Sequence, residues 1–273
     1  MNILGIAGKK QSGKNTTANY LNGVVLHQSG SIKDFAIDIK GELNVLTSFS
    51  DGSEGWGVLD IYRKDKQFVE AAEETIWPFV KNYSFADSLK QVAVDLFELK
   101  PEQVWGTDEQ KNSLTHLLWE NMPGVTTEVT PQDPVNEEVA GRLGKYYEKV
   151  LSGVVYHKPG PMTGREFLQF FGTEIGRRMH APIWINSTIN KIISEGSGLA
   201  IITDVRFPDE VRAIQKAGGK VIRLTRQVFN DNHASETSLD GYTDFDLVVH
   251  NDDLSIEHSC KIVEKFARQN NIL

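Results

Sequence analysis

The chain has 273 residues, 40% apolar and 24% charged, with a formal net charge of −8. That length allows one large α/β domain or two small ones, and no apolar run is long enough to span a bilayer. The acidic balance argues against a general nucleic-acid binder, which needs a basic surface to displace counterions; the single cysteine, Cys260, excludes an internal disulfide framework or a cysteine-rich metal site.

The apolar run Ile3-Leu4-Gly5-Ile6-Ala7 reads as a first strand, and Gly8-Lys9-Lys10-Gln11-Ser12-Gly13-Lys14-Asn15-Thr16 follows it directly. Glycines at both ends let the backbone wrap until successive N–H groups point inward at phosphate oxygens. Lys14 adds a cation that can follow charge on a transferring phosphoryl group. Asn15 to Leu21 starts a helix whose N-terminus faces the anion. Gly8, Lys10, Ser12, Gly13, Lys14, Asn15, Thr16 and Thr17 are the candidate nucleotide-binding residues. The usual loop places a Ser or Thr hydroxyl on Mg²⁺ directly after the lysine; here Asn15, a weaker ligand, holds that place. The ion is therefore expected to rest on nucleotide phosphates, water and a carboxylate elsewhere.

Residues 22–78 read as an insertion with a helix near Lys66 to Thr75. Tyr83-Ser84-Phe85-Ala86 reads as a short buried strand, and Leu89, Val92, Ala93, Leu96 and Phe97 fall on one face of the helix after it. Asp87 either caps that helix or, with Lys90 nearby, faces an acceptor phosphate. Pro101 opens another short helix. Residues 121–162 form a second excursion. Thr163-Gly164-Arg165-Glu166 has capping-box spacing and starts a helix carrying Phe167, Leu168, Phe171 and Ile175. A helix follows Pro182, and Leu199 to Thr203 is a continuous apolar run suited to a central parallel strand. Pro208 opens a helix that Gly218-Gly219 stops. Lys220 to Thr225 and Asp246 to His250 are further strands. The chain closes with a helix carrying Ile256, Cys260, Val263 and Phe266. Strand and helix alternate as in a parallel sheet with helical crossovers.

The strand at Leu199 ends in Asp204, with Arg206 two residues on. Ligands gather at the carboxyl ends of such strands, so both side chains are expected near the phosphate loop. Asp204 would orient Mg²⁺, and Arg206 would neutralise phosphoryl charge. Arg165, Arg177, Arg178, Arg206, Arg212, Arg223 and Arg226 fall in one third of the chain, the kind of cation supply phosphoryl transfer uses. The polar stretch from Gln227 to Phe245 reads as a loop able to close over nucleotide.

The ordered set of Gly8 to Thr17, Phe85 to Lys90, Arg165-x-x-x-Gln169-x-x-Gly172-Thr173-Glu174 with Trp184 downstream, and Asp204-Val205-Arg206 resembles the bacteriophage deoxynucleoside monophosphate kinases. Gly218-Gly219-Lys220-Val221-Ile222, Ser235-Glu236-x-x-Leu239 and Asp244-Phe245-Asp246 complete the match. The two excursions lie outside it. The resemblance implies an α/β P-loop kinase core, a single domain over 1–273 with a parallel five-stranded sheet and helices on both faces. Acceptor-binding insertions and a lid at about 226–245 accompany it. It implies ATP with Mg²⁺ as donor and a deoxynucleoside monophosphate as acceptor, in the cytoplasm (of the host, if phage-encoded). A small molecule, not nucleic acid or membrane, is the expected partner, and a homodimer is allowed. By position, Arg165, Gln169 and Glu174 would meet the acceptor, Arg178 would join Lys14, Arg206 and Asp204 in catalysis, and Arg226 would belong to the lid. Phosphomevalonate kinases of the animal type share the Ser-Glu, Asp-Phe-Asp and Asp-x-Arg segments and give an alternative. A nucleotide-dependent remodelling ATPase is a third reading, which the absence of a basic face disfavours.

Overall fold

Apolar side chains that alternate along parallel strands must be covered on both faces, and that demand organises the larger part of the chain. A computed structural model describes residues 2–48, 51–127, 146–149, 154–226 and 237–273. It begins with β1 (Asn2–Ala7) and α1 (Lys14–Gln28), then an antiparallel three-stranded sheet of β2 (Asp34–Ile37), β3 (Leu43–Ser48) and β4 (Glu54–Val58). α2 (Lys66–Thr75), β5 (Val80–Tyr83), α3 (Asp87–Asp95), α4 (Pro101–Trp105) and α5 (Asp108–Lys111) follow. Next come β6 (Leu114–Leu118), β7 (Val125–Thr126), β8 (Tyr146–Lys149), β9 (Val154–His157), β10 (Pro161–Thr163), α6 (Gly164–Phe170) and a π-helical turn (Phe171–Arg177). The chain ends with α7 (Ile183–Glu195), β11 (Leu199–Val205), α8 (Pro208–Lys216), β12 (Lys220–Leu224), β13 (Leu247–Val249) and α9 (Ile256–Gln269). The described residues form two compact units, Met1–Asp87 with Pro182–Leu273, and Ser88–Ala181.

In the first unit five parallel strands run in the order β13-β12-β1-β11-β5. Leu4, Ile6, Ile201, Ile222 and Leu224 pack on one face with Leu21 and Leu26 of α1 and Val263 and Ala267 of α9. Ile3, Ala200, Ile202 and Val221 pack on the other with Ile185 and Ile192 of α7 and Val211 and Ile214 of α8. Helices thus cover both faces, as expected, and β1 lies at the centre, where the winding reverses. That reversal opens a crevice at the carboxyl ends of β1 and its neighbours.

Several boundaries differ from the sequence reading. The strand expected over 83–86 is β5, ending at Tyr83; Ser84 to Ala86 form a turn whose polar groups are taken by Asp204. α1 runs on to Gln28, so the first excursion starts later than residue 22. It holds a β-sheet in which Leu43 and Val45 of β3 turn toward the core. The helix at 66–75 stands where it was expected, with Asp65 as its cap. Leu96 is exposed, because α3 ends one residue before it.

The second unit has its own core. Phe97, Phe167 and Phe171 form a trio with centroids 4.8 to 5.5 Å apart, and Trp119 meets Phe170 edge-on. Thr163 and Glu166 form the expected capping box, with Thr163 Oγ1 accepting from the Glu166 N–H at 3.1 Å.

The Asp-Phe-Asp segment explains how β13 joins the sheet. Asp246 accepts from Lys220 Nζ at 2.9 Å, the Val221 N–H at 2.8 Å and Gln215 Nε2 at 3.3 Å. Burial opposes its charge, but the Lys220, Val221 and Gln215 donors outweigh burial and hold the carboxyl below its usual range. A depressed native pKa contributes stability that is complete above the unfolded carboxyl range near ~4 and is lost as pH falls through the native value. Asp246→Asn should therefore lower Tm at neutral pH and flatten the decline of Tm below about pH 4. Thermal melts across that range check this; parallel acid slopes for the two proteins would refute it.

Candidate active site

The turn out of β1 is shaped by glycine. Gly8 has φ 150°, and a Cβ there would lie 2.5 Å from Ser12 Oγ and 2.8 Å from the Leu224 carbonyl. Gln11 (φ 61°) and Gly13 (φ 100°) are also left-handed, which curls the intervening N–H groups into a concave nest. Lys14 Nζ donates to the carbonyls of Gly8 at 2.7 Å and Lys9 at 2.6 Å, which gives those oxygens a partner. Gly13 caps α1 without a side-chain acceptor, and the first turn carries no carboxylate. The positive end of the helix is thus left to an external anion. Ser12 is fully buried, and its hydroxyl has no partner among the described residues.

Not every residue of the motif faces this nest. Thr17 is 2% exposed, and its hydroxyl meets the Cys260 thiol, a contact that joins α1 to α9. Burial pushes the Cys260 thiol up to about 12, with the Thr17 bond opposing, which leaves a neutral, inert cysteine. Thr16 packs against Gly41 in the turn between β2 and β3, leaving no room for a Cβ there. Asn15 and Lys10 are exposed.

β11 runs two residues further than expected because its register with β1 shifts between Gly5 and Ala7, which pair with Ile202 and Val205. The extra residue re-aims Asp204. One carboxylate oxygen accepts from Ser84 Oγ at 2.5 Å and the Ala86 N–H at 3.3 Å, the other from the Phe85 N–H at 2.9 Å. Asp204 therefore fastens the turn after β5. Asp87, the first residue of α3, accepts the Ser84 N–H at 3.0 Å and so ties the turn to the helix. Arg206 stands just past the strand; its backbone N–H, with that of Phe207, donates to Glu210.

Two contacts on the opposite flank had no sequence signal. Asn251, 2% exposed, donates from Nδ2 to the Ser12 carbonyl at 2.9 Å and accepts the Arg226 N–H at 2.8 Å. Arg226 returns its guanidinium to the carbonyls of Asn251 and Leu254 at 2.7 and 2.8 Å. Asp240 lies 3.3 Å from both Lys9 Nζ and Arg223, and Arg223 also donates to the Leu239 carbonyl. Of the expected lid at 226–245, residues 237–245 pack onto the core: Leu239 is buried in it, and Tyr242 meets Phe245 edge-on. Residues 227–236 lie outside the described residues.

Lys90, Arg165, Gln169, Glu174 and Arg178 belong to the second unit. Arg165 donates to Asp108 at 2.7 Å and to Asn112 at 3.1 Å. Glu174 and Arg178 are 3.7 Å apart across the π-helical turn, a rare form frequent at functional sites. Gln169 is exposed. No group of three or more metal-ligating side chains occurs among the described residues, and no helix there is long and apolar enough to cross a membrane.

A glycine-shaped anion nest at the switch point of this parallel sheet defines a P-loop phosphotransferase core. The sequence profile of the deoxynucleotide monophosphate kinases matches residues 102–262, more than half of the chain, and the chain belongs to that family. The enzyme is thus a kinase of deoxynucleoside monophosphates, with ATP as phosphate donor. The chain is similar to a protein of Acanthamoeba polyphaga mimivirus provisionally named deoxynucleotide monophosphate kinase, 27% identical over 188 residues that cover 68% of this chain and 78% of the relative. It is 36% identical over 69 residues to the deoxynucleoside-5'-monophosphate kinase of Escherichia phage T5, covering 25% of this chain and 24% of that protein. It is also 36% identical over 88 residues to the uncharacterized protein ORF77 of Ictalurid herpesvirus 1 (strain Auburn), covering 29% and 38% respectively. The chain spans less than half of the length of these last two.

Asn251 braces the loop apex, so its loss should act on the donor. Asn251→Ala leaves the Ser12 carbonyl and the Arg226 N–H without partners, at about 1–3 kcal/mol for each buried group. The KM for ATP should rise about tenfold while the acceptor KM stays put. Steady-state kinetics with each substrate varied in turn decide it; an equal rise in both would contradict a donor-side role.

Proposed function

We propose that the chain moves the γ-phosphoryl group of ATP to a deoxynucleoside monophosphate by direct in-line transfer, giving the diphosphate without a phosphoenzyme. The observation that carries this reading is the nest at Gly8–Lys14 beside the bulged end of β11 bearing Asp204 and Arg206. Backbone N–H groups and Lys14 hold the donor's phosphates; Lys14 leaves its two loop carbonyls to follow the charge. Arg206 and Arg178 neutralise charge on the transferring group. The acceptor is assigned to Arg165, Gln169 and Glu174, with Lys90 and Asp87 beside the turn after β5. Arg165 exchanges Asp108 for an acceptor oxygen.

The donor set also fits Mg²⁺ carried by the nucleotide. Mg²⁺ typically takes one or two carboxylates plus substrate phosphates and keeps several waters. The three donors on Asp204 leave about one acceptor position, enough for a metal-bound water and too little for a bidentate grip. When bound, Mg²⁺ supplies charge neutralisation between the donor's phosphates. Asp204 is the side chain that would hold it. A net charge of −8 supports a small-molecule acceptor over nucleic acid. Family membership favours the nucleotide over phosphomevalonate or a remodelling ATPase.

A coupled assay with ATP and each deoxy- and ribonucleoside monophosphate, and with phosphomevalonate, tests the acceptor class. Turnover only with phosphomevalonate, or ATP hydrolysis without any acceptor, would overturn the reading. Lys14→Ala should cut transfer by about a thousandfold with Tm unchanged, and near-normal turnover would remove the loop from the mechanism. Arg165→Ala should raise the acceptor KM about tenfold and leave the KM for ATP alone; a selective loss of ATP affinity would contradict its assignment.

A further inference from the structure

The contact between Asp240 and the phosphate loop has a chemistry of its own. One Asp240 oxygen faces Lys9 Nζ and the other the Arg223 guanidinium, each at 3.3 Å. Arg223 stands on β12 opposite Ala7, the residue before the loop, with its guanidinium over the Phe245 ring at 5.4 Å. The Lys9 carbonyl accepts from Lys14 Nζ and from the Ser12 N–H, so the Lys9 backbone is part of the nest wall. Asp240 does not owe its place to these ion pairs. The neighbouring Leu239 is 7% exposed in the core, and the Asp240 N–H donates to the Thr237 carbonyl at 2.9 Å.

We propose that Asp240 is a built-in counter-anion of the donor site: it holds Lys9 while nucleotide is absent and yields it to the donor's phosphate chain on binding. This rests on the reading that the loop binds the donor, and it adds Lys9 as a further donor-binding residue. The exchange is inexpensive. The Asp240 side chain is 43% exposed, and an ion pair so placed is worth about 1 kcal/mol or less. Lys9 is a compact charge on a flexible four-carbon stem and can swing while its backbone stays fixed. A polyphosphate brings several charges at once, and a single half-exposed carboxylate competes poorly with it for Lys9. Arg223 keeps the Leu239 carbonyl as a second acceptor and stays on β12 when Asp240 gives up Lys9. Asp240 therefore weakens donor binding at rest.

The test is a mutant cycle of D240N, K9Q and the double variant, with calorimetric binding of ATP and of inorganic tripolyphosphate at low and high salt. D240N is expected to bind both ligands about two- to fivefold more tightly at low salt, with the gain shrinking as salt rises. K9Q is expected to bind more weakly by a similar factor, and D240N should add little in the K9Q background. An equal gain from D240N in both backgrounds would overturn the exchange, since the carboxylate would then act at a distance without Lys9. Unchanged or weaker binding by D240N would overturn it as well. Wild-type protein that binds neither ligand would overturn the donor-site reading and this proposal with it. Binding by the wild type with no coupling between residues 9 and 240 would overturn the proposal alone.

Discussion

Everything at this site depends on the backbone closing at Gly8. The chain leaves β1 in a conformation that only glycine adopts easily, with the Leu224 carbonyl and Ser12 against the space a side chain would fill. Once it has turned there, the amides between Gly8 and Lys14 point inward, and their carbonyls must find partners elsewhere. Lys14 takes two of them and Asn251 a third. The curled loop is thus held before any anion arrives; the Asn251 brace can stay in place on binding, whereas the move proposed for Lys14 would give up its two bonds. Because β1 is the middle strand, β11 and β12 flank the turn and bring Asp204, Arg206 and Arg223 to the same sheet edge.

The sheet was legible because the forces that build it are local and periodic. Apolar runs at Ile3, Leu199 and Val221, helix signals at Thr163 and Pro208, and the stop at Gly218-Gly219 all lie where the structure uses them. Side-chain direction was less legible. Thr16 and Thr17 stand beside Lys14 in sequence, yet the helical turn carries one toward Gly41 and the other toward Cys260. The β2–β4 sheet was missed because the Gly-Trp-Gly stretch of β4 looks like a loop until β3 pairs with it, Leu46 opposite Trp56. Asn251 and Asp240 carry no motif at all, because their partners in the phosphate loop are more than two hundred residues away along the chain.

Asp204 shows how one residue can satisfy a sequence pattern and still surprise. The Asp-x-Arg strand end suggested a metal ligand, and the bulge in β11 does bring the carboxylate to the sheet edge. There it accepts from Ser84, Phe85 and Ala86, so the same group that would face the metal also sets the turn that leads into α3. A charge so tied has little freedom to move, so a bound Mg²⁺ would have to take its position from Asp204.

In an acidic protein, cations gathered at one edge need partners before the substrate comes. Lys14 rests on two loop carbonyls, Arg226 on the carbonyls of Asn251 and Leu254, and Lys9 on Asp240. Donor binding is then an exchange of acceptors, and the measured affinity is a difference between two sets of hydrogen bonds. The cations differ in how readily they exchange. A guanidinium held by two carbonyls through three bonds of 2.7 to 3.0 Å is a structural clamp, whereas a lysine at 3.3 Å from a half-exposed carboxylate is a contact that phosphate can displace. On this ground Arg226 belongs to the scaffold that positions the loop, and Lys9 makes the contact that is easiest to exchange; the move proposed for Lys14 would break two short bonds to carbonyls.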